Sequence, residues 1–224
     1  MRGISGIRAV TFDVGGTLID PWPSVGHVYA EVAAQHGLRD LEPETLTRRF
    51  AEAWRAKSDF DYSRAAWSEI VARTFRTPGQ PLTEVSFFGD LYERFAQPGG
   101  WRIYDDVLPA LHQLRARNIR LGVVSNWDER LRPLLGKLKL QDLFEVIVVS
   151  GEVGLHKPHP AVFRSALEQL GWPGHAVLHV GDRVIEDVQG AEQAGLRAVR
   201  LNRHAIISDE KEIHSLLSLT EFIR

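Results

Sequence analysis

The stretch "AVTFDVGGTLID", residues 9–20, decides the fold. Its first four residues are apolar or β-branched with no polar alternation, which predicts a short strand buried on both faces. The strand ends on a single acid, Asp13, and the chain then enters a Gly-Gly-Thr turn. Position 15, two residues beyond the acid, carries no side chain.

Working outward, four more runs read the same way: "LGVVS" at 121–125, "VIVVS" at 146–150, "AVLHV" at 176–180 and "RAVRL" at 197–201. Each is brief, β-branched and bounded by Gly, Asn or Asp. Between them, "DDVLPALHQLRARN", "WDERLRPLLGKLKL", "HPAVFRSALEQLG" and "VIEDVQGAEQAG" place apolar residues at helical spacing and mostly stop at Gly or Asn. The alternation predicts an α/β fold with five parallel strands joined by crossover helices. Residues 20–99 break it with four helical patterns and no strand between them, "SVGHVYAEVAAQHG", "PETLTRRFAEAWRAKS", "RAAWSEIVARTFR" and "LTEVSFFGDLYERF". They predict a helical insertion into a core made of residues 1–19 and 100–224, entered and left through the Pro- and Gly-rich joints "GGTLIDPWP" and "QPGGW". The last segment, "SDEKEIHSLLSLTEFIR", predicts a capped terminal helix or turn.

Composition narrows the function. The 224 residues carry 27 Lys and Arg against 29 Asp and Glu, a net charge of −2, which points to neither nucleic acid nor an anionic membrane. No cysteine is present, which excludes disulfides, thiolate metal sites and thiol nucleophiles. The N-terminal residues "MRGISGIRAV" lack the apolar stretch of a secretory signal, and no run is long enough for a membrane span, so a cytoplasmic location is expected.

In an open parallel sheet, ligands collect beyond the carboxyl ends of the strands. Four of the five expected strands end in residues that suit one site: Asp13, then Ser125 and Asn126, then Lys157 in the following loop, then Asp182. Any one of them fits an ordinary turn; their recurrence is the signal. The chemistry they suggest is attack by the Asp13 carboxylate on phosphorus or carbon through an aspartyl intermediate. An anionic nucleophile approaching phosphate needs positive charge, which Lys157 and a divalent cation held by Asp13 and Asp182 would supply. Hard oxygen ligands indicate magnesium. Ser125, Asn126 and the amides after Asp13, with Gly16 and Thr17, would bind the phosphoryl oxygens and shape the loop.

"DVGGTL", "VVSNWD", "LHKPHPAVF" and "GDRVIEDVQGA" stand in the order of the four motifs of the haloacid dehalogenase superfamily, which the chain resembles over nearly its whole core. The run from "VVSNWDERL" through "HVGDRVIEDVQGA" looks most like the domain-containing protein 3 branch of that superfamily. The resemblance implies a Rossmann-like doubly wound parallel sheet with an inserted α-helical cap, and a hydrolase acting on a small phosphorylated metabolite with Mg2+. It implies the roles given above for Asp13, Ser125, Lys157 and Asp182. It also makes Asp187 an outer metal ligand or the group that orients Lys157, and the Gly15 carbonyl a further ligand.

Phosphatases of this superfamily usually have an Asp at the position of Gly15, where it protonates the leaving oxygen. Without it, the resemblance implies a phosphatase for good leaving groups, or one borrowing an acid from Glu52, Asp59, Asp61 or Glu69. Other readings are a phosphonatase-like enzyme using Lys57, a dehalogenase, which typically has Tyr at that position, and a pocket that binds magnesium and phosphate without turnover. "HKPH" at 156–159 reads as loop packing around Lys157, and "GEVG" at 151–154 lacks the spacing of a dinucleotide-binding loop. Most aromatics of the insertion read as core, with "KSDFDYSR" at 57–64 a candidate to face substrate, and Trp22 and Trp127 as walls of the site.

Overall fold

The computed structural model describes residues 4–58, 60–76, 79, 81–203 and 211–223. Among them the strands are β1 (Ala9–Phe12), β2 (Ile19–Pro21), β3 (Trp101–Ile103), β4 (Arg120–Ser125), β5 (Val146–Val149), β6 (Val177–Gly181), β7 (Arg197–Leu201) and β8 (Glu212–Ile213). Six form one sheet in the order β5-β4-β1-β6-β7-β8, and every pairing in it is parallel. From β1 the chain runs outward to β4 and β5, then returns to the other side for β6, β7 and β8. This is the doubly wound Rossmann-like arrangement, and its order reverses beside β1. All residues of β1, β5 and β6 are buried, which is why these strands read as continuous apolar runs.

Four helices lie between β2 and β3 in sequence: α1 (Val25–Gln35), α2 (Pro43–Arg55), α3 (Arg64–Phe75) and α4 (Phe88–Arg94). The rest belong to the sheet: α5 (Val107–Ala116), α6 (Leu131–Lys137), α7 (Ser150–Val153), α8 (Pro160–Leu170), α9 (Gly190–Gln193) and α10 (Leu219–Phe222). Helix α8 shows why the sequence folds as it does here. The His159 side chain accepts the Ala161 N–H, Pro160 opens the helix, and Gly171 closes it with φ +70°. Its buried face sends Val162, Phe163, Ala166 and Leu170 into a core with Val124, Val146, Val148 and Val177.

The chain divides into two compact units, Met1–Ile19 with Ile103–Arg224, and Asp20–Arg102. The second has its own aromatic core. Tyr29 packs against Phe50, Phe75 and Phe95, while Phe60 packs 5.1 Å from Trp54 and 5.0 Å from Trp67. The aromatic residues of "KSDFDYSR" therefore pack within this unit, and the Lys57 ammonium lies 4.0 Å from the centre of the Trp54 ring. Trp22 is 48% exposed, with the Arg102 guanidinium over its ring. Glu52 and Glu69 pair with Arg48 and Arg73 on their own helices, Asp61 accepts the Ser63 N–H, and Asp59 lies outside the described residues.

Three details differ from the expectation. A sixth strand, β8, adds to the sheet edge where a terminal helix or turn was expected, with only Leu216–Ser218 and α10 helical behind it. The two joints pair with each other as β2 and β3. Strands of two or three residues carry no periodicity to read. The segment "VIEDVQGAEQAG" is not one α-helix: Val184–Gln189 form a wider π turn, and α9 follows. Such turns recur at functional sites, and this one carries Asp187.

Candidate active site

The carboxyl ends of β1, β4 and β6 lie side by side in the sheet, and the residues just beyond them converge. The Ser125 hydroxyl donates to Asp13 Oδ1 at 2.9 Å, and the Lys157 ammonium donates to the same oxygen at 2.7 Å. Lys157 also donates to Asp187 Oδ1 at 2.5 Å. Both donors sit on one oxygen of Asp13, Oδ1. Asp13, Asp182 and Asp187 each offer a ligand atom within 4.8 Å of the others.

Lys157 is held by its backbone as well as its side chain. The Asn126 carboxamide accepts the Lys157 N–H at 2.7 Å and donates to the Lys157 carbonyl at 2.9 Å, a pair of bonds that locks the loop after α7 to the end of β4. Nearby, the Gly16 and Thr17 amides close their own turn onto the Ile19 and Val14 carbonyls, and the Thr17 side chain is fully buried. These bonds give Asn126, Gly16 and Thr17 a part in shaping the loops around Asp13 and Lys157. The Thr17 carbonyl is anchored by Arg203, itself paired with Asp106.

Asp187 has all three of its donors from the protein. Lys157 and His179 Nε2 donate to Oδ1, the latter at 3.2 Å, and the Arg183 N–H donates to Oδ2 at 2.9 Å. Gly181 makes this approach possible, because a Cβ there would stand 2.2 Å from Asp187 Cγ. These contacts orient Lys157, one of the two roles the resemblance implies for Asp187, and one of its oxygens also lies within 4.8 Å of ligand atoms of Asp13 and Asp182.

The electrostatics follow from three carboxylates served by the buried Lys157 ammonium and, 3.3 Å from Asp182, the more exposed Arg183 guanidinium. For Lys157, burial opposes the charge, but Asp13 and Asp187 outweigh it and hold the ammonium above the ordinary lysine range. Burial also works against ionised Asp187, yet Lys157 and His179 hold its carboxyl well below the usual range. Asp13 is raised, chiefly by burial, with Lys157 pulling the other way and Asp187 adding to the rise. Burial, then the charges of Asp13 and Asp187, push Asp182 up to about 7. The cluster is short of positive charge, and its donors are all hard oxygens, which fits a small divalent cation.

Gly15 lies against Trp127. A Cβ at position 15 would stand 3.4 Å from Trp127 Cζ3, an ordinary van der Waals contact. In the loop around Lys157, His156 Nδ1 bonds the Lys157 carbonyl, and His159 caps α8. Two residues that sequence reasoning passed over are Thr11 and His179, both fully buried and bonded to each other at 2.9 Å. The available signal was a histidine inside an otherwise aliphatic strand, since a buried polar ring needs partners.

Known proteins resemble the chain over most of its length. The haloacid dehalogenase-like hydrolase family profile matches residues 7–195. The human protein named haloacid dehalogenase-like hydrolase domain-containing protein 3 is 34% identical over 86% of this chain and 80% of its own length. A glyceraldehyde 3-phosphate phosphatase of Methanopyrus kandleri is 29% identical over 88% of this chain and 84% of its own. Among solved structures, a 2-haloacid dehalogenase from Pseudomonas syringae pv. Tomato is 27% identical, with a TM-score of 0.65 over 96% of this chain and 97% of that one. Both chemistries occur among relatives of comparable similarity, so the choice between them belongs to the site itself. By profile and by sequence, the chain belongs to the haloacid dehalogenase-like hydrolase family.

Proposed function

We propose that this hydrolase is a magnesium-dependent phosphatase of small phosphorylated metabolites, acting through a phosphorylated Asp13. The observation that carries the reading is the carboxylate cluster around Asp13. One of its oxygens is held by Ser125 and Lys157, and burial, with the charges of Asp13 and Asp187, lifts Asp182 to about 7. A dehalogenase substrate brings no phosphoryl oxygens and has no use for such a cation site.

The metal would be held by Asp13, Asp182 and the Gly15 carbonyl, and when bound it would neutralise charge on the phosphoryl group. The chain's own residues do the rest. Asp13 attacks phosphorus, and the leaving alkoxide or phenolate departs. Lys157 keeps Asp13 oriented and offsets the charge of the incoming phosphate, and Ser125 fixes the rotamer of Asp13. Water then cleaves the aspartyl phosphate to free phosphate and Asp13. The inserted helical unit, in this reading, is the cap that selects the substrate and excludes bulk water.

Two results are expected. Folded Asp182 keeps its proton up to about pH 7, whereas the unfolded chain releases it near 3.8, so the folded state binds more protons between those values. The metal-free protein should therefore lose stability as pH rises through that window, and Mg2+ should raise its melting temperature more at pH 8 than at pH 5.5. A melting temperature that responds equally to Mg2+ at both values would contradict the assignment of Asp182.

The second concerns the missing acid. A positioned general acid contributes about 10²- to 10⁴-fold. A Cβ at position 15 would meet Trp127 only at van der Waals contact, so Trp127 is no bar to Gly15→Asp. Gly15→Asp should therefore gain about a hundredfold on glycerol phosphate, whose alkoxide needs a proton, and little on p-nitrophenyl phosphate. Comparison of kcat/KM for the two substrates in the native and Gly15→Asp proteins decides this, and equal gains on both would rule out the acid as the missing element.

A further inference from the structure

We propose that His179 and Thr11 are positioning residues for the reaction: together they fix Asp187, and through it the Lys157 ammonium, against Asp13. The inference rests on the roles of Asp13 and Lys157 given above.

Sheet register places the pair. Thr11 in β1 is directly opposite His179 in β6. Side chains alternate along a strand, so Thr11 shares the face of Asp13, two residues on, and His179 shares the face of Gly181. The pair therefore forms a layer immediately beneath the catalytic one. Phe163 meets the imidazole edge-on at 5.0 Å and 83°, which sets the plane of the ring.

The protons in this layer are determined by its partners. Asp187 is ionised and can only accept, so the His179 nitrogen facing it, Nε2, carries the hydrogen. Burial, only partly offset by Asp187, keeps the imidazole neutral. Nδ1 is then a bare lone pair, and the Thr11 hydroxyl donates to it at 2.9 Å. The chain of bonds runs Thr11 to His179 to Asp187, where His179 and Lys157 meet on the same oxygen, and from Lys157 to Asp13. Asp187 already has two other donors, so the imidazole is not needed merely to satisfy a buried charge. What it adds is direction: it draws Oδ1 to the one place from which Lys157 reaches both carboxylates.

The test uses the whole protein as His179→Leu, His179→Gln and Thr11→Val, with Lys157→Met as control, all confirmed folded by circular dichroism. Two readouts are taken: kcat and KM for p-nitrophenyl phosphate with Mg2+, and the 15N signal of the Lys157 ammonium without substrate. Loss of an outer-shell partner usually costs about 10- to 100-fold. His179→Leu should lower kcat by that factor with KM little changed and should shift the Lys157 signal. His179→Gln, which keeps an N–H donor, should recover most of both, and Thr11→Val should fall between. A folded His179→Leu with native kcat and a native Lys157 signal would overturn the proposal, as would equal losses in His179→Leu and His179→Gln. If Lys157→Met keeps native kcat, the reading of Lys157 itself is wrong. Should the native protein show no turnover, the Lys157 signal decides the positioning role alone.

Discussion

Asp13→Asn is expected to abolish phosphate release from p-nitrophenyl phosphate, a loss of about a million-fold for a covalent nucleophile, while the protein stays folded and melts no lower than the native form. The two halves of this result have one cause. Asp13 sits at 8% exposure with its pKa raised, mainly by burial, so its ionised form is held at a cost to the metal-free fold. The sign follows from proton binding. A carboxyl raised in the folded state is protonated there over a range in which the unfolded chain has already ionised, so its charge opposes folding as pH rises. Asparagine keeps the shape, accepts from Ser125 and Lys157 through its carbonyl, and carries no charge. Activity and stability therefore move in opposite directions, the usual sign of a residue retained for chemistry. Melting curves without metal at pH 8 and phosphate release with Mg2+, on the same preparations, check both halves. A markedly lowered melting temperature for Asp13→Asn would mean that Asp13 holds the fold together.

Lys157→Met should do the reverse and damage both. The ammonium is 2% exposed and bridges two buried carboxylates. Removing one partner from a buried ion pair leaves the other charge unpaired, which costs about 3–5 kcal/mol. Asp187, at 1% exposure, bears most of that, because its remaining donors are a histidine N–H and a backbone N–H. The deficit should shrink at acid pH, since the orphaned carboxylates can then take up protons. Phosphate release should fall about 10²- to 10³-fold from the loss of a preorganised positive group. Urea unfolding at pH 8 and pH 5 gives the first quantity, and initial rates with saturating Mg2+ give the second. An undiminished stability at pH 8 would show that water reaches these carboxylates and screens them.

The strands that build the site were legible because burial on both faces removes polar alternation, so "AVTF", "LGVVS", "VIVVS" and "AVLHV" stand out as bare apolar runs. Asp13, Ser125 and Asp182 were legible because each interrupts or ends such a run with a polar residue. Lys157 was placed only by its loop, and the structure supplies the reason it arrives: Asn126 clamps its backbone on both sides. What stayed hidden is tertiary. The contact of Thr11 with His179 depends on the pairing of β1 with β6, 168 positions apart, and the lone histidine in "AVLHV" does not name its partner. The π turn that swings Asp187 over Gly181 looks in sequence like the start of an ordinary helix. The approach of Trp127 to Gly15 joins two loops whose meeting no local pattern encodes.

The central claim is that phosphate passes through Asp13. The measurement that tests it most directly is chemical trapping: the native protein is mixed with p-nitrophenyl phosphate and Mg2+, quenched in acid during turnover, reduced with borohydride, and its peptides are weighed by mass spectrometry. An aspartyl phosphate is reduced to homoserine, so the peptide spanning residues 9–20 should carry that change at Asp13, and should lose it when substrate or Mg2+ is left out. Phosphate release with an Asp13 peptide that remains unreduced throughout would contradict the account and leave direct attack by water in its place.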